Sequence, residues 1–333
     1  MRLAFLRFAA ALLLLPSAAV AQVGEPPAFS LTDGADHPLA GRIWSVARAA
    51  FVEPAEVETA VAGARFVLLG EIHDNPDHHA LQAHLLAAAS EAGRRPAVVL
   101  EMLARDRQGD VDAYLGGGQA TAEGFGAALG WEQSGWPDYA IYRPVIEVAV
   151  ERDLPIIAGD TPREERRKVA AEGAEVLGAE RIAALRLAEP LGEAADAVLL
   201  DTLFDGHCAL MPREALTPLV AVQRLRDATL ADAMISGGIS GGISGAGEVA
   251  VLIAGSGHVR KDLGVPRYLE WREPDAASVA VGFVEVVEDR TEPALYAGGS
   301  AEAPPPYDYL WFTPRQQRGD PCESLRVRFG KSE

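Results

Sequence analysis

The amino-acid sequence predicts an α/β fold, a mostly parallel central sheet flanked by helices, and three features predict it. Four continuous apolar runs each close on a glycine or an acidic residue, helix-patterned stretches separate them, and ionisable side chains cluster directly after the runs. A strand covered on both faces reads as an unbroken apolar run. Alternation of such strands with helices is how parallel neighbours are connected.

The first residues read as a leader. Arg2 and Arg7 flank an apolar start, and the run from Phe8 to Leu15 is closed by Pro16 and Ser17. That is short of the about 20 apolar residues that cross a bilayer. It suits the roughly 7–15-residue core of a signal peptide, with Ala19-Val20-Ala21 as the small-x-small cleavage site. A signal peptide at 1–21 and cleavage before Gln22 are therefore expected, placing the protein in the periplasm or outside the cell. Residues 22–333 then form a single α/β domain. No cysteine stands near the cleavage site to be acylated.

The formal net charge of −18 becomes −20 once Arg2 and Arg7 leave with the leader. Such a chain is repelled by nucleic acid and by anionic membrane surfaces, so neither is an expected partner. Cys208 and Cys322 are the two cysteines. They form one disulfide in an oxidising compartment, or Cys208, beside His207, is a buried thiol or part of the site. Both readings stay open.

Along the chain, residues 65–70 (RFVLLG), 96–101 (PAVVLE), 154–160 (LPIIAGD) and 249–255 (VAVLIAG) are the four core strands. Residues 76–91, 141–152 and 214–235 carry helical patterning, the first with Pro76 at a first-turn position. Residues 163–211 lack a strand-like run and are rich in Ala, Glu, Arg and Leu, which predicts a helical insertion forming a subdomain or lid. Residues 236–247 repeat Gly-Gly-Ile-Ser and read as a flexible connection. Residues 278–287 alternate as a further strand. A C-terminal extension from about 290 to 333 holds Tyr307, Tyr309, Trp311 and Phe312 and is expected to cover a sheet edge.

Ligands of a parallel sheet collect where strands end and helices begin. The first strand leads to Glu71 and His73, the second to Glu101, the third to Asp160 and the fourth to Ser256-Gly257-His258. Glu71, His73, Glu101 and His258 are thus the candidate catalytic residues, converging from distant positions on one edge. Their oxygen and imidazole donors also suit a divalent metal such as zinc or manganese, and the same groups serve as acid and base without one. Asp160, before Thr161-Pro162, reads equally as a helix cap. At least one of His78 and His79 is expected at the surface, and His84 reads as a solvent or core residue.

These residues resemble the ChaN-like haem-binding uptake proteins of the Tiki and erythromycin-esterase superfamily. The resemblance runs from about Phe66 to Tyr268. It rests on Gly70-Glu71-Ile72-His73 with His78-His79, on Leu100-Glu101-Met102, on His207-Cys208, on Gln223 with Arg226-Asp227, and on Gly257-His258 followed by Gly264-Val265-Pro266. It implies haem as cofactor, a link to iron uptake through an outer-membrane or periplasmic system, and a homodimer around stacked haems. Glu71, His73, Glu101 and His258 carry over as the shared site, with His78 and His207 as further cofactor-binding positions. Haem ligation in the group involves tyrosine, and Tyr142, near Trp131, Trp136 and Tyr139 in a segment able to form an aromatic wall, is the tyrosine named for it here. The missing acylation cysteine departs from the lipoproteins common in the group.

Two functions follow. The resemblance implies an exported haem-binding protein linked to iron uptake; the chemistry of the Glu/His cluster taken alone implies a metal-dependent hydrolase of esterase or peptidase type, acting on a small-molecule substrate.

Overall fold

The computed structural model describes residues 24–240, 249–298, 304–320 and 322–328. The expected leader at 1–21 and residues 241–247 of the Gly-Gly-Ile-Ser segment lie outside them. Within the described residues the strands are β1 (Ile43–Ser45), β2 (Ala50–Val52), β3 (Phe66–Glu71), β4 (Ala97–Ala104), β5 (Ile156–Asp160), β6 (Ala250–Gly255), β7 (Ser278–Glu285) and β8 (Tyr309–Thr313). They make one sheet in the order β2-β1-β8-β7-β3-β6-β4-β5. Every neighbouring pair from β8 to β5 is parallel, and β1 and β2 add an antiparallel margin.

The apolar runs are explained by which face each side chain meets. Val67 and Leu69 of β3, Val98 and Leu100 of β4, and Val251 and Ile253 of β6 enter one core. Phe66 and Leu68, Ala97 and Val99, and Ala250, Leu252 and Ala254 enter the other. Side chains alternate between faces along a strand, so only a continuously apolar sequence covers both. Each buried Leu, Ile or Val contributes about 1.5–3 kcal/mol relative to exposure.

Helices α1 (Pro54–Gly63), α2 (Pro76–Ala89), α3 (Gln108–Leu115), α4 (Ala122–Ala128) and α5 (Tyr139–Glu151) supply the first core. Helix α2 begins where Asn75 accepts hydrogen bonds from the amides of Asp77 (3.0 Å) and His78 (3.3 Å), with Pro76 in the first turn. Those are the side-chain cap and the proline that a helix start favours. This helix is buried nearly all round, so His78 and His79 are both interior, against the expectation that one faces water. His84 is also buried, 2.9 Å from Glu58 of α1.

The expected helical insertion is made of α6 (Arg163–Glu172), α7 (Ala179–Ala184) and α8 (Glu193–Gly206), with no strand among them. Helix α6 joins α9 (Thr217–Ser240) and α10 (Val265–Arg272) on the second face, and α8 packs through Ala195 and Leu199 in a separate small cluster. Helix α9 runs on through Ser240, past the start of the expected flexible connection. Two short helices, α11 (Ala294–Ala297) and α12 (Glu323–Arg328), belong to the C-terminal extension.

That extension does not cover a sheet edge; it supplies an interior strand. Leu310 and Phe312 of β8 pack on one face and Trp311 on the other, a pattern that only a strand covered on both sides can satisfy. The edge is taken instead by β1 and β2, three-residue strands too short to stand out in the sequence.

Cys208 and Cys322 form a disulfide, 114 positions apart and with Cα atoms 5.7 Å from one another. It ties the end of α8 to the start of α12. Cross-links of this kind stabilise chiefly by restricting the unfolded chain, typically by about 2–4 kcal/mol. Replacing both cysteines by serine is expected to lower the unfolding free energy by that amount in urea melts, with the far-ultraviolet circular dichroism of the folded protein unchanged.

Candidate functional site

At the carboxyl edge of the sheet, β6 lies between β3 and β4 and ends in Gly255, in register with Glu71. Glu71 and Glu101 therefore flank a strand that ends without a side chain. A Cβ on Gly255 would lie 2.9 Å from both Cε1 and Nε2 of His73 and 3.6 Å from Glu101 Oε2. The missing side chain makes room for the imidazole, which crosses from Glu71 towards Glu101. Gly70 serves a similar close approach: a Cβ there would come within 2.3 Å of Val259 and 3.0 Å of the Ser256 backbone, so the turn after β6 can lie against β3.

Glu71 is buried and faces two imidazoles. Oε1 is 2.9 Å from His73 Nδ1, and Oε2 is 2.9 Å from His79 Nδ1, as an ion-pair contact without a directed hydrogen bond. His79 Nδ1 also meets Gln82 Oε1 at 3.0 Å, and its Nε2 meets the His73 carbonyl at 3.0 Å. Every one of these partners is an acceptor, because Gln82 turns its amide nitrogen to the Leu69 carbonyl at 2.9 Å. His79 is consequently held as an imidazolium. Burial opposes that charge and Glu71 outweighs it, raising His79 above the ordinary range. Burial likewise pushes the Glu71 carboxyl up, but His79 and His73 outweigh it and bring it down to about 2.

Glu101 is buried on the other side of the gap. It accepts hydrogen bonds from Arg226 Nη2 at 2.6 Å and the Gly255 amide at 2.7 Å, and His258 Nε2 lies 3.3 Å away. Burial raises its pKa, yet His258 and Arg226 hold it well below the ordinary carboxylate range. His258 Nδ1 donates to Asp227 at 2.6 Å. Burial disfavours the His258 imidazolium, but Glu101 and Asp227 prevail and raise its pKa to about 9. Arg226 continues to Asp160 at 2.9 and 3.0 Å, and Arg166 adds a contact to Asp160 at 3.0 Å. Asp160 is thus chiefly an anchor for Arg226, besides accepting from the Thr161 amide.

His73 is the member of this group that meets solvent: its side chain is 37 % exposed. Burial disfavours its charge, while the hydrogen bond to Glu71 and the charge of Glu101 raise its pKa. With Nδ1 directed at Glu71, Nε2 has no hydrogen-bond partner among the described residues. The ring rests edge-on against Trp136, centroids 4.8 Å apart. Trp136 also lines an open cleft of about 650 Å³, with Trp131, Tyr139, Arg143 and the acidic Glu123, Glu132 and Asp138 on its wall. Trp131, Trp136 and Tyr139 of the aromatic segment line this cleft, whereas Tyr142, the tyrosine expected to ligate haem, does not.

Glu71, His73, Glu101 and His258 are brought together as expected, in two linked halves. The zinc or manganese shell expected of them is not formed: among the described residues no three His, Cys, Asp or Glu side chains converge as a metal centre. The reason is electrostatic. The Arg226 guanidinium lies against Glu101, and both nitrogens of His258 face carboxylates, so those donors already neutralise one another.

The other named residues stand behind or apart from the cluster. Tyr142 is buried, and its hydroxyl donates to the His73 carbonyl at 3.0 Å while its ring packs 4.0 Å from His79. His78 accepts from the Ile72 amide at 2.9 Å and meets Thr313 Oγ1 at 2.9 Å. Burial lowers it to about 3, so it is a neutral bracket between the loop and β8. His207 caps α8, with Nδ1 2.7 Å from the Leu203 carbonyl. In the sequence Arg226 and Asp227 stand out only within the family resemblance, and His79 as one of a histidine pair of which at least one is expected at the surface; the adjacent Arg-Asp pair in α9 is the signal for the first two.

The family described as haem-binding uptake, Tiki superfamily, ChaN matches residues 57–269, close to two thirds of the chain. Among solved structures, the fold is similar to that described as cofacial heme binding to ChaN of Campylobacter jejuni. The TM-score there is 0.60 at 21 % identity, over 81 % of this chain and 95 % of that one. More remote are a mutant of the erythromycin esterase EreC in its open conformation, with TM-score 0.39 and 16 % identity over 69 % of this chain and 72 % of that one, and a succinoglycan biosynthesis protein, with TM-score 0.38 and 12 % identity over 69 % and 68 %. No curated protein matches significantly.

The cluster makes stability depend on pH in a defined direction. His258 is raised from 6.5 to about 9, so its stabilising contribution is fully present below its unfolded value and is lost as pH rises through the folded one. Unfolding free energy is expected to fall between about pH 6.5 and pH 9, and His258→Gln is expected to flatten that part of the profile in urea melts.

Proposed function

Starting from the fact that this chain belongs to the ChaN family of haem-binding uptake proteins in the Tiki superfamily, we propose that it binds haem in the Trp131–Trp136 cleft, with His73 Nε2 as the ligand to iron. The observation that carries this reading is the shared position of Trp136, which lines the cleft and touches the exposed imidazole. Cofactor sites are typically concave, about 300–1,000 Å³, and largely aromatic or apolar; this cleft is in that range.

The donor chemistry fits. A histidine that binds a metal generally gives its other N–H to a carboxylate or carbonyl, which fixes the tautomer and strengthens the ligand. His73 is arranged in that way by Glu71. Haem would supply the iron and its redox chemistry; the chain's own residues hold, orient and shield it. Tyr142 and His79 brace the His73 carbonyl from behind, so the ligand is preorganised. The acidic residues on the cleft wall oppose an anionic ligand, which leaves recognition to the aromatic faces, the iron bond and Arg143.

An exported protein serving iron uptake is the setting that agrees best with the leader-like start and the disulfide, since disulfides persist in oxidising compartments. Among the described residues no helix is long and apolar enough to cross a membrane. A haem on an open cleft also keeps one face free, which suits a second haem-bearing copy.

A second reading is favoured by the Glu71–His73 pair itself. An exposed imidazole backed by a buried carboxylate is suited to proton transfer in ester or peptide hydrolysis without a metal. It requires turnover of such a substrate that His73→Ala abolishes.

Titration of the purified protein with haemin is expected to give a saturable Soret band. Glu71→Gln is expected to weaken binding about 10–100-fold, His73→Ala by at least as much, and Trp136→Ala by up to about tenfold. Because Nε2 must be free of its proton, and Glu71 and Glu101 favour that proton, affinity is expected to fall as pH is lowered. A protein that shows no Soret band, or a band indifferent to all three variants, overturns the reading.

A further inference from the structure

The loop that carries His73 is held from outside by parts of the chain that the family match does not reach. Asp74, next to His73, takes both carboxylate oxygens to Arg318 Nε at 2.9 and 2.7 Å. Arg318 also binds Glu285 of β7, Nη1 to Oε2 at 2.7 Å and Nη2 to Oε1 at 2.8 Å. Glu285 in turn accepts from Asn75 Nδ2 at 2.7 Å and the Gln316 amide at 3.0 Å. The guanidinium is therefore a joint between the loop after β3, the end of β7 and the C-terminal tail.

Both sides of that tail are fixed. Before Arg318, Thr313 meets His78, and Arg315 pairs with Asp33, Nη2 to Oδ1 at 2.7 Å. After it, Cys322 is joined to Cys208. The N-terminal segment grips the same loop, because Asp77 accepts from the Ser30 amide and hydroxyl at 2.7 Å each and from the Leu31 amide at 3.2 Å. Residues 30–31 and 313–318 lie outside the matched span of 57–269, yet they frame the turn on which His73 stands.

We propose that Arg318 is a positioning residue for His73: acting through Asp74, it locks the loop between β3 and α2 in the form that sets the imidazole against Trp136, a residue of the cleft wall. Charge-assisted, two-pronged bonds between a guanidinium and a carboxylate fix orientation as well as distance. The partner in the loop is one residue from His73, so a change at Arg318 reaches the imidazole without touching it. Its effect on haem rests on the haem-binding reading; its effect on the loop does not.

The test is a double-mutant cycle of Arg318→Ala and Asp74→Asn, read by amide hydrogen exchange and by haemin titration on the full chain. The Ile72 amide, bonded to His78 Nδ1, and the Asn75 amide, bonded to the Ile72 carbonyl, report on the loop. Arg318→Ala is expected to speed exchange at these two amides by about two- to fivefold, leave β3 and β6 amides unchanged, and weaken haemin binding by a similar factor. In the Asp74→Asn background it is expected to add nothing further, and Arg318→Lys is expected to restore part of the protection. Unchanged exchange at Ile72 and Asn75, or an equal effect with and without Asp74, overturns the proposal. A wild-type protein that binds no haemin defeats the haem reading alone, and the exchange cycle still decides the role of Arg318.

Discussion

Two carboxylates buried at the ends of neighbouring strands are the constraint on which this structure turns. Glu71 and Glu101 are almost fully removed from water on either side of β6. An isolated buried carboxylate is so costly that it either takes up a proton or finds compensating partners. Here it finds them: His79 and His73 for Glu71, Arg226, His258 and the Gly255 amide for Glu101. The placement of α2, α9 and the turn after β6 can be understood as delivery of those groups.

His73 differs from the other members because its second nitrogen is left open. A fully satisfied network rigidifies a fold; one open donor at its rim is what makes such a network able to act on something else. Gly255 gives the ring its place, Trp136 gives it an apolar neighbour, and Tyr142 and His79 fix the backbone behind it. The proposed haem ligand is thus the solvent-exposed part of the charge network, set against Trp136 of the cleft, and the proposed role of Arg318 is to keep it there.

Much of this was legible in the sequence because of where strands end. The runs at 66–70, 97–100, 156–159 and 250–255 had to be apolar to fill two cores, so the first ionisable residues after them had to meet at one edge. The divalent-metal reading failed because it counted donors without their partners. Arg226 lies 125 positions from Glu101, and the contact exists only once α9 has packed on the sheet. His79 was hidden for a related reason: two adjacent histidines on a helix suggest one exposed face, and α2 has hardly any. The strands β1 and β2 are three residues each and gave no pattern, while the aromatic tail suggested only the cover of a sheet edge, because its place inside the sheet depends on β1 lying beyond it.

In the proposed reading iron meets this protein at His73. A crystal structure of the haemin-loaded protein tests it most directly. A porphyrin lying against Trp136 with its iron bonded to His73 Nε2, and the Glu71–His73 hydrogen bond intact, is expected. Haem held elsewhere, or bonded through another side chain with His73 untouched, would contradict it.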